Sequence, residues 1–270
     1  MALLLVKLLL TPAIVVSTTL AGRRLGPAVS GWLVALPLVS GPLTYFFALE
    51  HGQRFAAHAS VGSLSGTLGE VGFCVGWART ARSGAWWRPL VAASASFAAV
   101  GLVVEALPLD ERLPSPLLPL ALACLAGLLV GLRVVPRLAP AASDAVPVPR
   151  WDLPARTVVA TGILLALTTL AEVLGARLSG LLAVYPLYTV VLASFAQRHE
   201  GPAAAMRLLR GLLLGLFAFL AFYAVLAGLL TRVGTGVAFA VAAVVCLTVH
   251  GASLWPLHRE RSRRVAPAPA

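Results

Sequence analysis

The sequence predicts an all-α, polytopic membrane protein of about nine transmembrane helices, built as two inverted-topology four-helix repeats around a connector helix. Three observations carry this reading. First, 59% of the 270 residues are hydrophobic and only 11% are charged, against about 25% charged in ordinary soluble domains. Second, residues 25–52 (LGPAVSGWLVALPLVSGPLTYFFALEHG) and 174–201 (LGARLSGLLAVYPLYTVVLASFAQRHEG) align without a gap at an offset of 149. Leu25/Leu174, Gly26/Gly175, Ser30/Ser179, Gly31/Gly180, Leu33/Leu182, Pro37/Pro186, Leu38/Leu187, Phe46/Phe195 and Gly52/Gly201 are identical. Internal repetition is a statement about architecture. Third, the basic residues fall unevenly between alternate loops, as they do in proteins whose orientation is set by Lys and Arg on the cytoplasmic side.

Taking ~20 residues per span, the apolar runs predict helices near 2–20, 29–49, 57–78, 89–108, 116–135, 155–173, 179–197, 205–230 and 233–255. The first run is followed, not preceded, by its paired Arg23-Arg24. That order fits an uncleaved span with its N-terminus outside rather than a cleavable signal. The third run is the most polar, with Ser60, Ser63, Ser65, Thr67 and Glu70. Between 136 and 154 the sequence PRLAPAASDAVPVPRWDLP is rich in proline and reads as an extended linker. The expected divisions are a first repeat over 1–115, a connector helix and cytoplasmic linker over 116–154, a second repeat over 155–257 and a basic tail over 258–270.

With this span count, sixteen basic residues lie on the inner side and five (Lys7, Arg54, Arg112, Arg177 and Arg232) on the outer side. The C-terminus is then cytoplasmic. The unpaired fifth span reverses the second copy. Accordingly, the loop carrying Arg23-Arg24 is inner, whereas its counterpart with Glu172 and Arg177 is outer.

Charge and motifs restrict the function classes. A net charge of +11 would suggest nucleic acid in a soluble protein; here it follows the positive-inside pattern, and no basic platform interleaved with aromatics is present. Cys74, Cys124 and Cys246 lie in apolar runs without metal-ligand spacing and read as packing residues. No phosphate-binding loop, HExxH, GxSxG or dinucleotide fingerprint occurs. Neither enzymatic activity nor a cofactor or metal is expected.

Gly180, Pro186, Gly201 and the basic Arg207 form a spaced pattern, repeated as Gly31, Pro37 and Gly52 in the first copy. This pattern resembles the GlpM-like family of small bacterial inner-membrane proteins, best over 174–225 and less closely over 25–75. The chain departs from that family in being a tandem fusion with an added span. The resemblance implies a multi-pass protein of the bacterial inner membrane and supplies no catalytic residues.

The candidate pathway residues are Glu70, Pro37, Pro186, Ser30, Ser179, Gly31 and Gly180. Mid-span prolines free backbone carbonyls that must face protein or water, and paired broken helices at mid-membrane point to a transporter site. Packing kinks are the plainer reading of the prolines, and close helix approach that of the Ser-Gly pairs. Glu70 is costly inside a bilayer unless protonated, paired or hydrated, which makes it a functional candidate; its repeat counterpart is Phe219. Glu50-His51 and His199-Glu200 stand at matching positions in swapped order. Solvated helix ends are the plainer reading; a pH-sensing gate is the sharper one. Together these features predict a secondary transporter or exporter of a small solute, with a site between the repeats and a proton as coupling ion. The alternative is a non-transporting membrane protein that assists cell-envelope or exopolysaccharide assembly. The lipid bilayer is the expected partner, and nucleic acid is not.

Overall fold

The computed structural model describes residues 2–107, 117–138, 149 and 151–262, with side chains described for all of these except 2–8, 105, 170–183 and 256–262. The described residues are mainly helical, with turns and breaks between the helices and without strands. The helices are α1 (Ala2–Leu25), α2 (Pro27–Val34), α3 (Ser40–Glu50), α4 (Gln53–Thr80), α5 (Trp87–Ala106), α6 (Leu117–Val134), α7 (Asp152–Ala183), α8 (Leu187–His199), α9 (Pro202–Leu229) and α10 (Thr235–Ser262).

Four stretches among the described residues are long and apolar enough to cross a membrane: Trp87–Val104 in α5, Leu117–Val134 (α6), Pro202–Leu229 (α9) and Thr235–Trp255 in α10. The exposed faces of α5, α6 and α10 carry Val91, Val103, Leu118, Leu122, Val244 and Leu247, an apolar surface suited to lipid. α9 is the central helix, with Leu209, Leu213, Leu216 and Tyr223 fully buried. α4 is too polar to match these four by composition, and it buries its Ser60 and Thr67 against neighbouring helices.

Two expected single spans are each broken. The span expected at 29–49 is α2 and α3, separated at 35–39 around Pro37. The one expected at 179–197 is interrupted at 184–186, where Pro186 precedes α8. A second departure concerns the hairpin expected near 174–178. The backbone there is helical, and α7 runs on to Ala183. The first copy turns at this point because Gly26 takes a φ of 97° and Pro27 opens α2. Only glycine adopts such a φ without strain, and proline is favoured in a first turn. The second copy has Ala176 in place of Pro27, and Gly175 does not take positive φ. Ser179-Gly180, expected to open a helix, therefore lies in the last turns of α7.

The helix bounds otherwise repeat at the sequence offset. α2 ends at Val34 and α7 at Ala183; α4 spans 53–80 and α9 spans 202–229. Gly52 and Gly201, which precede these long helices, take φ values of 87° and 89°. Contacts repeat reciprocally as well. A Cβ on Gly215 would come within 2.6 Å of Ala35 Cβ, and one on Gly66 within 3.0 Å of Val184 Cβ. These are the same pair with the two halves exchanged. α6 touches equivalent positions of both long helices: Cys124 Sγ reaches the Leu64 carbonyl at 3.2 Å, and Gly131 lies against Leu213.

Side-chain contacts show which ends meet. Gln53, at the start of α4, hydrogen-bonds Thr235, just beyond α9, at 3.2 Å. Near the other end of α4, Trp77 donates to Gln197, just before α9, at 3.4 Å. α4 and α9 therefore run antiparallel. The Trp77 end also gathers Gln197 on the Ala81 carbonyl (2.8 Å), Arg210 on the Leu132 and Val135 carbonyls (2.7 and 2.9 Å), and Trp32 on Ser253 (2.8 Å).

The closest helix crossing is α2 on α9. A Cβ on Gly31 would run into the Leu208 carbonyl, and one on Gly211 into that of Ala28. Along α4, Gly69, Gly72 and Gly76 receive Phe97, Val100 and Ser96 of α5. Small residues let the backbones approach, which is how helices associate where lipid removes the hydrophobic drive.

Candidate functional site: a cavity between the two helix breaks

Residues on either side of the breaks line one cavity of about 510 Å³. Val34, Leu36, Leu38, Val39 and Ser40 come from the first break, and Val184, Tyr185, Pro186, Leu187, Tyr188 and Thr189 from the second. α3 adds Leu43; α4 contributes Ser63, Gly66 and Glu70; α9 contributes Phe219; Ile14 of α1 and Leu164, Leu167 and Thr168 of α7 complete the described wall. Glu70 and Phe219 are repeat counterparts, so the same position of the two antiparallel helices faces the cavity from both sides.

Prolines place the segments here. A ring in place of the N–H removes one helical hydrogen bond and clashes with the preceding turn, so each span yields at its proline and turns backbone and side chains inward. The breaks sit near mid-length of their neighbours. Tyr188 shares a hydrogen bond of 3.0 Å with Thr11, midway along α1, and Tyr185 one of 2.7 Å with Ser94 of α5. The wall is mainly apolar. Its polar atoms are the Glu70 carboxylate and the hydroxyls of Ser40, Ser63, Thr168, Tyr185, Tyr188 and Thr189. Behind Ser40 and Ser63 stand Thr44 and the buried phenol of Tyr223. The Tyr223 oxygen lies among these three hydroxyls without meeting strict hydrogen-bond geometry to any of them. Among the described residues, no basic side chain lines the cavity or ion-pairs with Glu70.

The expected pathway residues divide into three groups. Glu70 and Pro186 line the cavity, and Pro37 lies in the break between its lining neighbours Leu36 and Leu38. Ser30 and Gly31 are buried in α2, Gly31 at the crossing with α9 and Ser30 facing Gly22 of α1. The side chains of Ser179 and Gly180 lie outside the described residues. Tyr185, Tyr188 and Phe219 were not singled out from the sequence; two of them flank a proline already recognised, and the third is Glu70's repeat partner.

The four candidate gate residues part company. Glu50 and His51 are exposed where α3 ends, with His51 stacked on Phe55 at 4.8 Å. His199 instead enters an ion cluster missed in the sequence. Fully buried Asp152 accepts from Arg23 and Arg156, both at 2.9 Å, and its other oxygen is 3.9 Å from His199 Nε2. Arg156 covers the Phe195 ring at 5.0 Å, and Trp151 packs edge-on against His199. Glu200 contributes its field to Arg156. This cluster ties the end of α1, the start of α7 and the end of α8 together. Asp152 escaped notice because its surroundings read as linker.

Cys74, Cys124 and Cys246 are buried and free, and the described residues include no grouping of three side chains fit to hold a metal ion. Compared with protein-family models, curated proteins and solved structures, the chain matches none.

Proposed function

We propose that this protein is a secondary transporter or exporter of a small solute in a bacterial inner membrane, with its binding site in the cavity between the two breaks. One observation carries the reading: two proline-broken segments, repeats of one another, line a single cavity with the one unpaired carboxylate of α4. A non-transporting assembly factor has no use for a cavity at that depth, and a dry, filled centre would have suited it better.

In this reading the halves are inverted repeats. The antiparallel course of α4 and α9, with their reciprocal contacts, calls for a two-fold axis perpendicular to the helices. If the helices cross the bilayer, that axis lies in the membrane plane. Such an arrangement gives two related conformations open to opposite sides. The end holding Asp152, Arg23, Arg156 and Arg198 is the cytoplasmic one, and the N-terminus is outside, because basic residues collect on the inner face. In this reading α2 and α3 together form one crossing. α8 is the short return leg of the α7–α8 pair, since both its far end and the start of α7 meet at Asp152.

Glu70 couples transport to protons by holding either a proton or a solute. The test begins with a growth screen of a deletion strain to identify the solute. Flux in proteoliposomes under an imposed pH gradient follows. Glu70→Gln keeps the size of the side chain and cannot cycle a proton, so uphill flux should be lost. Unchanged gradient-driven flux in a folded Gln variant would remove Glu70 from the mechanism.

A further inference from the structure

We propose that the cavity binds an amphipathic monovalent organic cation, its charge met by Glu70 and its apolar body held by Tyr185, Tyr188 and Phe219; the assignment rests on the transporter reading for what the binding accomplishes. The first ground is charge. The described wall holds one carboxylate and no lysine, arginine or histidine. In a low-dielectric surrounding, a carboxylate needs a proton or a counter-charge, and an anionic solute would be repelled from this wall without compensation.

The second ground is the chemistry of the remaining wall. No grouping of three acidic, histidine or cysteine side chains fit to hold a metal ion occurs among the described residues. Aliphatic side chains (Leu36, Leu43, Leu164, Leu167) and aromatic rings supply most of the surface. Aromatic faces attract organic cations. The repeat relation places a ring, Phe219, at the position matching the carboxylate of Glu70, so one half of the molecule supplies the counter-charge and the other a π surface.

The third ground is size. About 510 Å³ falls within the range of small-molecule sites, and it exceeds what a bare ion would need.

Proton and cation compete for one group. Among the described residues, the titratable groups facing it are Tyr185 and Tyr188 from the second break and Cys74 one turn along α4, with Tyr223 of α9 behind Ser63. α5 and α1 present the hydroxyls of Ser94 and Thr11, and α7 that of Thr168. None of these is a cation or a second carboxylate.

The experiment uses the purified full-length chain in detergent, with tetraphenylphosphonium as probe and tetraphenylborate as its anionic counterpart. The expected result is saturable binding of one phosphonium per chain that weakens as pH is lowered and falls at least tenfold in Glu70→Gln. The borate should show no saturable binding. Absence of saturable phosphonium binding, equal binding by the Gln variant, or equal binding of the borate overturns the assignment. Should Glu70→Gln fail to fold, wild-type protein is labelled with a carbodiimide. Phosphonium should protect Glu70 from modification, and undiminished labelling at saturating phosphonium overturns the proposal equally. Proteoliposome flux separates the two readings. Phosphonium bound but never moved leaves the cation site standing and removes the transporter. Gradient-driven movement of a different solute, without phosphonium binding, does the reverse.

Discussion

At the scale of single residues, the molecule separates glycines that hold helices together from glycines that merely sit in them. Gly31 and Gly211 face the backbone carbonyls of Leu208 and Ala28, and neither carbonyl can move without its helix. Gly211→Ala should therefore cost about 3 kcal/mol through overpacking, read as a fall in thermal unfolding temperature in detergent. Gly162 of α7 has no neighbour within 4 Å of its notional Cβ and is exposed. Gly162→Ala should be neutral or should stabilise by up to about 1 kcal/mol, since alanine is the better helix former. The sequence shows both as glycine in an apolar helix and cannot tell them apart, because the difference lies in a neighbour far along the chain. Glu70 is the opposite case. A lone carboxylate within an expected span announces itself in the sequence, and it stands on the cavity wall, whereas Phe219 looks like any core aromatic until the repeat is laid over it.

At the scale of helices, the ion cluster at Asp152 is the joint between α1, α7 and α8. Asp152→Ala leaves Arg156 buried without its carboxylate, and breaking one partner of a buried pair costs about 3–5 kcal/mol. The loss should appear as a lower unfolding temperature. Combining it with Arg156→Leu should restore a large part of that loss, since the stranded charge is then gone; a strictly additive double variant would show that the two residues act independently. The place of each break was legible in the sequence, because proline at 37 and 186 acts locally through its missing N–H and fixed ring; that each expected span parts there into two helices, rather than kinking, was not. The continuous course of α7 through 174–178 was not legible. The aligned copies differ there by Pro27 against Ala176, and overall similarity concealed that one residue decides whether a turn forms. Asp152 was hidden for another reason: its partners Arg23 and His199 lie on elements that only folding brings near it.

For the whole molecule, the halves hold each other, since each break packs on the long helix of the other half. A chain cut within 139–148 and expressed as two fragments should reassemble and copurify, with each fragment alone degraded or aggregated. Reporter fusions after residues 82, 145 and 262 should read cytoplasmic, and fusions near 110 and 232 external. An external signal at 145 would give both halves the same orientation and end the inverted scheme. The pairing of Glu70 with Phe219 has one more consequence, for stoichiometry. A strictly symmetrical molecule would set two carboxylates or two rings across the cavity; the described wall has one of each. One carboxylate exchanging one proton for one monovalent cation moves no net charge per cycle. Each uncompensated charge would gain about 2.3 kcal/mol per 100 mV of membrane potential, and here that gain is zero. If the chain exchanges protons for cations as proposed, flux should follow the chemical gradients of proton and solute and stay unchanged when a potassium diffusion potential is imposed with valinomycin, the behaviour of an electroneutral exchanger blind to voltage.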